Sequence, residues 1–159
     1  MKDLRKLLDL LAKSPLDFVL VGGFAAVLHG STHTTRDLDI CVLFSKDEID
    51  LLYKVLKPIH PVMSKNHDEA PLSQSLNDGS GFKTIRINTD LGILDVVSHI
   101  EGVGNYYDVL KSSEEIKIFD DVIRLISLDD LIKCKNTLGR HRDLAIAEEL
   151  ESLKKERET

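Results

Sequence analysis

The sequence predicts an α/β fold, and three kinds of pattern predict it. An apolar run at residues 18–21 leads through two glycines into an apolar helical segment, and a loop then leads to a second apolar run at residues 40–44. Strand patterns recur between residues 82 and 126, with a hairpin in the last part. Helical periodicity marks three amphipathic segments, residues 3–13, 46–57 and 143–157.

Two aspartates begin the second predicted strand. Because side chains alternate between the two faces of a strand, Asp37 and Asp39 are expected on one face, while Leu38 and Ile40 enter the core. Two carboxylates this close repel each other, and each raises the pKa of the other unless a cation lies between them. Oxygen ligands of this kind suit Mg²⁺ or Mn²⁺. The simpler alternative is that Asp37 and Asp39 belong to a solvated turn and strand start and bind no metal.

Two consecutive glycines, Gly22 and Gly23, follow the first predicted strand, which spans residues 17–21. Glycine lets a backbone approach a phosphate closely, and a helix that follows offers unpaired N–H groups and the positive end of its dipole. Thirteen residues separate Gly23 from Asp37, so one short helix and loop would bring a phosphate cradle and a metal site together. Proteins that handle nucleotides need both.

Residues 22–40 resemble the signature of the nucleotidyltransferase superfamily with the DNA polymerase β-like fold. The segment HGSTHTTRDLDI is similar to minimal nucleotidyltransferases and AbiEii-type toxin relatives, in which Thr-x-Asp-Leu-Asp is typical; those proteins often carry Arg or Lys near the position of His33. The resemblance implies a nucleotidyltransferase fold, which is a mixed β-sheet flanked by helices, followed by C-terminal helices. It implies Mg²⁺ or Mn²⁺ as cofactor. The implied nucleotide contacts in this segment are Gly22, Gly23 and Thr35.

A lone acidic residue, Asp95, lies in the otherwise apolar strand predicted at residues 91–97. A buried carboxylate is costly without a partner. The residues leave two explanations open: Asp95 is satisfied by backbone N–H groups or by Arg86 of the preceding predicted strand, or it faces the site. The resemblance implies the second, with Asp95 joining Asp37 and Asp39 as the third metal-binding and catalytic aspartate. In that role it would also accept the proton of the acceptor hydroxyl or orient the hydroxyl.

Residues 58–81 show little periodicity and are rich in Pro, Asn, Asp and Gly, which predicts a long loop. Such a loop either closes over a substrate or is a surface excursion. Residues 115–119 and 122–126 are predicted to form a hairpin whose turn holds Asp120 and Asp121. We interpret both aspartates as turn residues rather than ligands. Ser127 is predicted to cap the next helix.

One basic window, residues 133–142, contains four Lys and Arg residues and no acidic residue. It would complement a triphosphate, although basic residues near a helix C-terminus are favourable in any case. The superfamily relatives frequently show Leu-x-Asp-Leu-Ile…Lys and then Gly-Arg-x-Lys-Asp, which resembles residues 128–135 and 139–143. The resemblance implies that Lys135 and Arg142 contact the nucleotide, with Arg142 in place of the usual lysine.

The 159 residues are predicted to form one domain, with a core at about residues 17–126 and C-terminal helices at 127–157. A net charge of −6 argues against broad electrostatic capture of nucleic acid. No apolar run has the length of a membrane span, and the two cysteines cannot form a disulfide framework. We therefore expect a cytoplasmic protein without a membrane partner.

These features predict a Mg²⁺-dependent enzyme that transfers a nucleotidyl group from an NTP to an acceptor hydroxyl. The acceptor is left open among RNA, protein and small molecules. The AbiEii resemblance implies a toxin–antitoxin or phage-defence context with an antitoxin partner. The alternative is a non-catalytic nucleotide-binding or protein-interaction module that retains the fold. The three aspartates favour the enzyme, whereas the short chain without an acceptor domain favours the module.

Overall fold

The computed structural model describes residues 2–63 and 84–159. In this part of the chain the helices are α1 (Leu4–Ala12), α2 (Gly22–Leu28), α3 (Lys46–Leu56), α4 (Tyr106–Ser112), α5 (Leu128–Leu138) and α6 (His141–Glu158). The strands are β1 (Val19–Val21), β2 (Asp37–Cys41), β3 (Val62–Met63), β4 (Thr84–Thr89), β5 (Gly92–Val97), β6 (His99–Ile100), β7 (Gly104–Asn105), β8 (Glu114–Ile118) and β9 (Asp121–Leu125).

Seven of these strands form one mixed sheet in the order β3-β4-β5-β2-β1-β9-β8, and β6 pairs with β7 separately. At the centre, β1 is antiparallel to β2 and parallel to β9, and β2 is parallel to β5. The outer pairs β3–β4, β4–β5 and β8–β9 are antiparallel. A mixed sheet accompanied by helices confirms the predicted fold class. Of the helices described, none is long and apolar enough to cross a bilayer.

Strand alternation and helix amphipathicity explain which residues enter the core. Leu38 and Ile40 of β2 are completely buried, whereas the flanking aspartates are only partly buried. In β4, Ile85 and Ile87 are buried and Arg86 points outward, as the sequence pattern predicts. The helices α1 and α3 add their apolar stripes, whose buried members are Leu7, Leu8, Leu11, Ile49, Leu52 and Leu56.

Several element boundaries differ from those predicted from the sequence. The first strand begins at Val19 rather than at residue 17, and Gly22 and Gly23 form the first turn of α2 rather than a separate turn. The last helix begins at His141 and continues to Glu158. Most of the loop predicted at residues 58–81, and the predicted strand start at 82, lie outside the described residues. Ser127 caps α5 as predicted, because its side chain accepts a hydrogen bond from the Asp130 N–H.

Helix α6 packs along the α2–β2 loop, which we define as residues 29–36. Near the C-terminal end of α6, Arg157 Nη2 donates a hydrogen bond to the His29 carbonyl at 2.9 Å. Near its N-terminal end, Arg142 Nη2 donates to the Thr34 carbonyl at 2.7 Å. His29 is itself buried, with Nε2 2.8 Å from the Ile126 carbonyl. The loop that leads into β2 is therefore held by the last helix at both ends.

Between these two contacts, the Glu149 carboxylate accepts hydrogen bonds from three consecutive loop residues. The Ser31 hydroxyl donates to Oε1, and Thr32 donates to Oε2 from its backbone N–H at 3.1 Å and from its hydroxyl at 2.6 Å. His33 Nδ1 lies 3.1 Å from Oε1. These hydrogen bonds, with that of Ser31 the largest contribution, lower the pKa of Glu149 to about 2. The hydroxyls of Ser31 and Thr32 are thus engaged by α6.

Replacing Glu149 by Gln is expected to lower the free energy of unfolding by about 1 to 2 kcal/mol at neutral pH, because a charged acceptor of several hydrogen bonds becomes a neutral amide. The pKa of Glu149 is lower in the folded chain than its ordinary value of 4.5. Stability from this carboxylate is therefore complete above that value and is lost as the pH falls toward 2. Urea unfolding followed by circular dichroism over this pH range measures both effects.

Glu148→Gln is the matched control, because Glu148 lies beside Glu149 on the same helix and is exposed. It should leave the unfolding free energy nearly unchanged. If both variants lost the same stability, or if the loss in Glu149→Gln did not diminish at acid pH, the loop would not depend on this carboxylate.

Candidate active site

Three acidic side chains lie on one face of the sheet, on the two neighbouring strands β2 and β5. Asp37 and Asp39 are two residues apart on β2, so they share a face. In the parallel register between the strands, Asp39 is the partner of Asp95, which places Asp95 on that face too. Asp39 is also the register partner of Val21, the residue before the two glycines. The predicted catalytic and metal-binding aspartates and the glycine corner are therefore adjacent.

Arg86 links two of these carboxylates. It is the antiparallel register partner of Asp95, and its guanidinium binds Asp95 through both Nε and Nη2, each at 2.9 Å. Nη2 also donates to Asp37 Oδ2 at 3.2 Å. The Asp95 side chain is only 12 % exposed, whereas those of Asp37 and Arg86 are 31 % and 48 % exposed. The sequence left two explanations for Asp95 open, and the structure shows both: Asp95 pairs with Arg86, and it lies on the face that carries Asp37 and Asp39.

Asp39 is the carboxylate of the cluster whose ionised form the surroundings disfavour. Burial raises the pKa of Asp39 to about 7, with further contributions from the charges of Asp95 and Asp37. The positive charge of Lys135 and a hydrogen bond from the Gly23 N–H act in the opposite direction. A carboxylate that is costly to ionise in this position would be stabilised by a bound cation.

The two glycines make room for this arrangement. Gly22 has a φ of +72°, and a Cβ there would lie 2.6 Å from Asp39 Cγ and 2.7 Å from Asp39 Cβ. A Cβ at Gly23 would lie 2.8 Å from Thr35 Oγ1. The Thr35 hydroxyl donates to the Asp37 carbonyl at 3.0 Å, so it fixes the start of β2. Gly22, Gly23 and Thr35, predicted as nucleotide contacts, here position the aspartates.

The basic window is divided between two tasks. Lys135 lies close enough to Asp39 to lower its pKa, and its Nζ is 3.5 Å from Oδ1 of the buried Asp143. Arg140 binds the other oxygen of Asp143, at 2.5 Å from Nε. Arg142 is exposed and holds the α2–β2 loop through Thr34. Of the two predicted nucleotide contacts in this window, Lys135 is the one whose charge acts on Asp39, and a nucleotide contact by either residue stays a prediction.

Two of the three aspartates have the carboxylate oxygens that a divalent cation requires. Asp37 and Asp39 fit Mg²⁺ or Mn²⁺, because they present carboxylate oxygens on one face and a bound cation would stabilise the ionised form of Asp39. Asp95 gives both oxygens to Arg86. Within residues 2–63 and 84–159, no group of three or more His, Cys, Asp and Glu residues is arranged to hold a metal ion. The three-aspartate metal site remains a prediction.

Two anchoring residues were missed by the sequence reasoning. Glu149 holds the α2–β2 loop, and Asp143 gathers Lys135 and Arg140 at the junction of α5 and α6. The Asp143 contact had a local signal, because Arg140 precedes it by three residues at a helix start. The Glu149 contact had none, since nothing in the helical periodicity of α6 indicates which loop it meets.

Comparisons with known proteins identify the fold. No protein-family model matches the chain, and no curated protein is a match. Among solved structures, a candidate nucleotidyltransferase from Thermotoga maritima superposes with a TM-score of 0.51 at 15% identity, over 96% of this chain and 88% of that one. ANT(2")-Ia, in complex with adenylyl-2"-tobramycin, superposes with a TM-score of 0.51 at 12% identity, over 94% and 95%. The chain therefore has the nucleotidyltransferase fold.

Gly22→Ala is expected to lower the free energy of unfolding by about 3 kcal/mol or more, because a left-handed backbone is strained by Cβ and this Cβ would overlap Asp39. Gly139→Ala is the matched control. Gly139 has a similar φ of +68°, but its nearest neighbour would lie at 3.6 Å, so only the backbone strain of about 1 kcal/mol applies. Chemical denaturation measures both. Equal losses would mean that Asp39 does not require this glycine.

Proposed function

We propose that this protein is a nucleotidyltransferase that moves a nucleotidyl group from an NTP to an acceptor hydroxyl with the help of Mg²⁺ or Mn²⁺. The observation that carries the proposal is the group of carboxylates beside the glycine corner, with Asp39 in register with both Val21 and Asp95. The nucleotidyltransferase fold of the chain supports the same assignment. A surface that served only in packing would not need three acids on one face.

In this proposal Asp37 and Asp39 hold the divalent ion. Such an ion neutralises charge on the triphosphate and lowers the pKa of an attacking hydroxyl. Asp39 suits this role because burial and the neighbouring carboxylates disfavour its ionised form, which a bound cation would stabilise. Asp95, which is paired in register with Asp39 and bound by Arg86, is proposed to orient the acceptor hydroxyl.

Lys135 is the proposed cationic contact for the nucleotide phosphates. It is held by Asp143 and its charge acts on Asp39, so its ammonium is positioned before a substrate arrives. Arg142 and Thr35 are proposed as further nucleotide contacts, and both hold the segment that enters β2. Gly22 and Gly23 complete the proposed nucleotide site, because their lack of side chains lets the backbone lie against Asp39 and Thr35.

The acceptor is proposed by class only. The complex of ANT(2")-Ia contains an adenylylated small molecule, adenylyl-2"-tobramycin, and this chain covers 95% of that protein. Small hydroxyl-bearing molecules therefore stand beside RNA and proteins as acceptors to be tested. An antitoxin partner and a phage-defence context follow from the AbiEii resemblance alone and stay predictions.

Asp37→Ala and Asp39→Ala are each expected to reduce nucleotidyl transfer by more than about 100-fold, because both variants remove a proposed ligand of the divalent ion. The assay supplies each α-labelled NTP with Mg²⁺ or Mn²⁺, and offers cellular RNA, proteins and aminoglycosides as acceptors. Transfer of label to an acceptor is measured by gel or thin-layer chromatography.

Asp120→Asn is the matched control, because Asp120 is an exposed turn residue between β8 and β9, away from β2 and β5. It should transfer label at the wild-type rate. Nucleotide binding by the wild type without transfer to any acceptor would favour the non-catalytic module. Transfer that survived both alanine substitutions would contradict the proposed site.

A further inference from the structure

We propose that Arg86 takes the place of a second metal ion, so that the chain binds one divalent ion at Asp37 and Asp39 and none at Asp95. The inference rests on the proposed function, because it concerns the same site. It assigns Arg86 as a positioning residue that sets how many ions the site accepts. Removing its charge should open Asp95 to a second ion.

The contact between Arg86 and Asp95 uses the whole carboxylate. Nε and Nη2 of Arg86 each donate to a different oxygen of Asp95, both at 2.9 Å, in a side-on bidentate pair. The two residues are cross-strand partners, so the strand register and not a flexible loop sets their separation. Asp95 is nearly enclosed, with 12 % of its side chain exposed, which leaves little access for an ion with its own water ligands.

The position of the guanidinium also explains why an ion is excluded. Arg86 Nη2 lies within hydrogen-bonding distance of both Asp95 and Asp37, at 2.9 and 3.2 Å, so it occupies the space where an ion bridging these carboxylates would lie. An arginine stays protonated at every pH at which the protein is folded. A divalent ion brought to Asp95 would therefore meet a fixed positive charge at close range.

Asp39 is left available for the single ion. The charges of Asp95, Asp37, Lys135 and Arg86 all act on it, and its direct hydrogen bond comes from the Gly23 N–H. Neither Asp39 oxygen is bound by Arg86 in the contacts observed within the described residues. Arg86 thus binds Asp95 and Asp37 directly but acts on Asp39 through its charge alone, which leaves the Asp39 carboxylate to bind a metal ion.

The experiment counts Mn²⁺ ions bound per chain, by electron paramagnetic resonance of the free ion, with Mn²⁺ as the only added ligand. The wild type should bind one ion, and Arg86→Gln should bind two. Adding Asp95→Asn to Arg86→Gln should return the count to one. Two ions on the wild type, or one on Arg86→Gln, would overturn the inference, as would the absence of binding to either protein.

Arg124→Gln is the matched control. Arg124 pairs with Glu115 across β8 and β9 in the same cross-strand manner, at 3.1 Å. Glu115, however, is 64 % exposed and does not belong to the aspartate cluster. This variant should bind one ion, as the wild type does. A second ion on Arg124→Gln would mean that any arginine removed from this acidic chain adds a site, which would contradict the assignment.

Asp95→Asn keeps the test decisive if Arg86→Gln does not fold. In the wild-type background this variant should keep one bound Mn²⁺, whereas Asp39→Asn should bind none. Loss of the ion in Asp95→Asn would overturn the inference.

Because no NTP is present, the counts are independent of catalysis. A wild type that transfers label but binds two ions refutes this inference alone. A wild type that binds one ion but transfers nothing refutes the proposed function alone.

Discussion

Repulsion among Asp37, Asp39 and Asp95 is the constraint to which the surrounding structure responds. The three carboxylates share one face of two adjacent strands, and two cations approach them from different elements. Arg86 of β4 binds Asp95 and Asp37, whereas Lys135 of α5 acts on Asp39. The fold therefore compensates a cluster that would otherwise oppose folding, but the ionised form of Asp39 stays disfavoured.

The position of the aspartates also depends on how the chain enters β2, and α6 holds the loop that precedes this strand. Arg157, Glu149 and Arg142 contact the α2–β2 loop at successive points along the helix. Asp143 performs the related task of joining α6 to Lys135. The C-terminal helix is therefore a direct support of the candidate site, although none of these loop contacts includes an aspartate of the cluster.

Local patterns predicted much of this structure, because they depend on residues close in sequence. Alternation placed Leu38 and Ile40 in the core and left Arg86 outside, and the capping role of Ser127 followed from its position. The register that sets Asp95 beside Asp39 joins distant strands, so only the family resemblance indicated it. The Glu149 contacts join a polar loop to the exposed side of a helix, and neither partner has a pattern that specifies the other.

The contacts of α6 also affect the order in which parts of the protein fold. The bond from Arg142 to Thr34 spans 108 positions, and that from Arg157 to His29 spans 128. Contacts of such long range form late, since loop closure costs entropy before the contact compensates for it. During synthesis, a nascent chain would thus complete its central strands while the approach to Asp37 stayed unfinished, until the last helix had emerged from the ribosome.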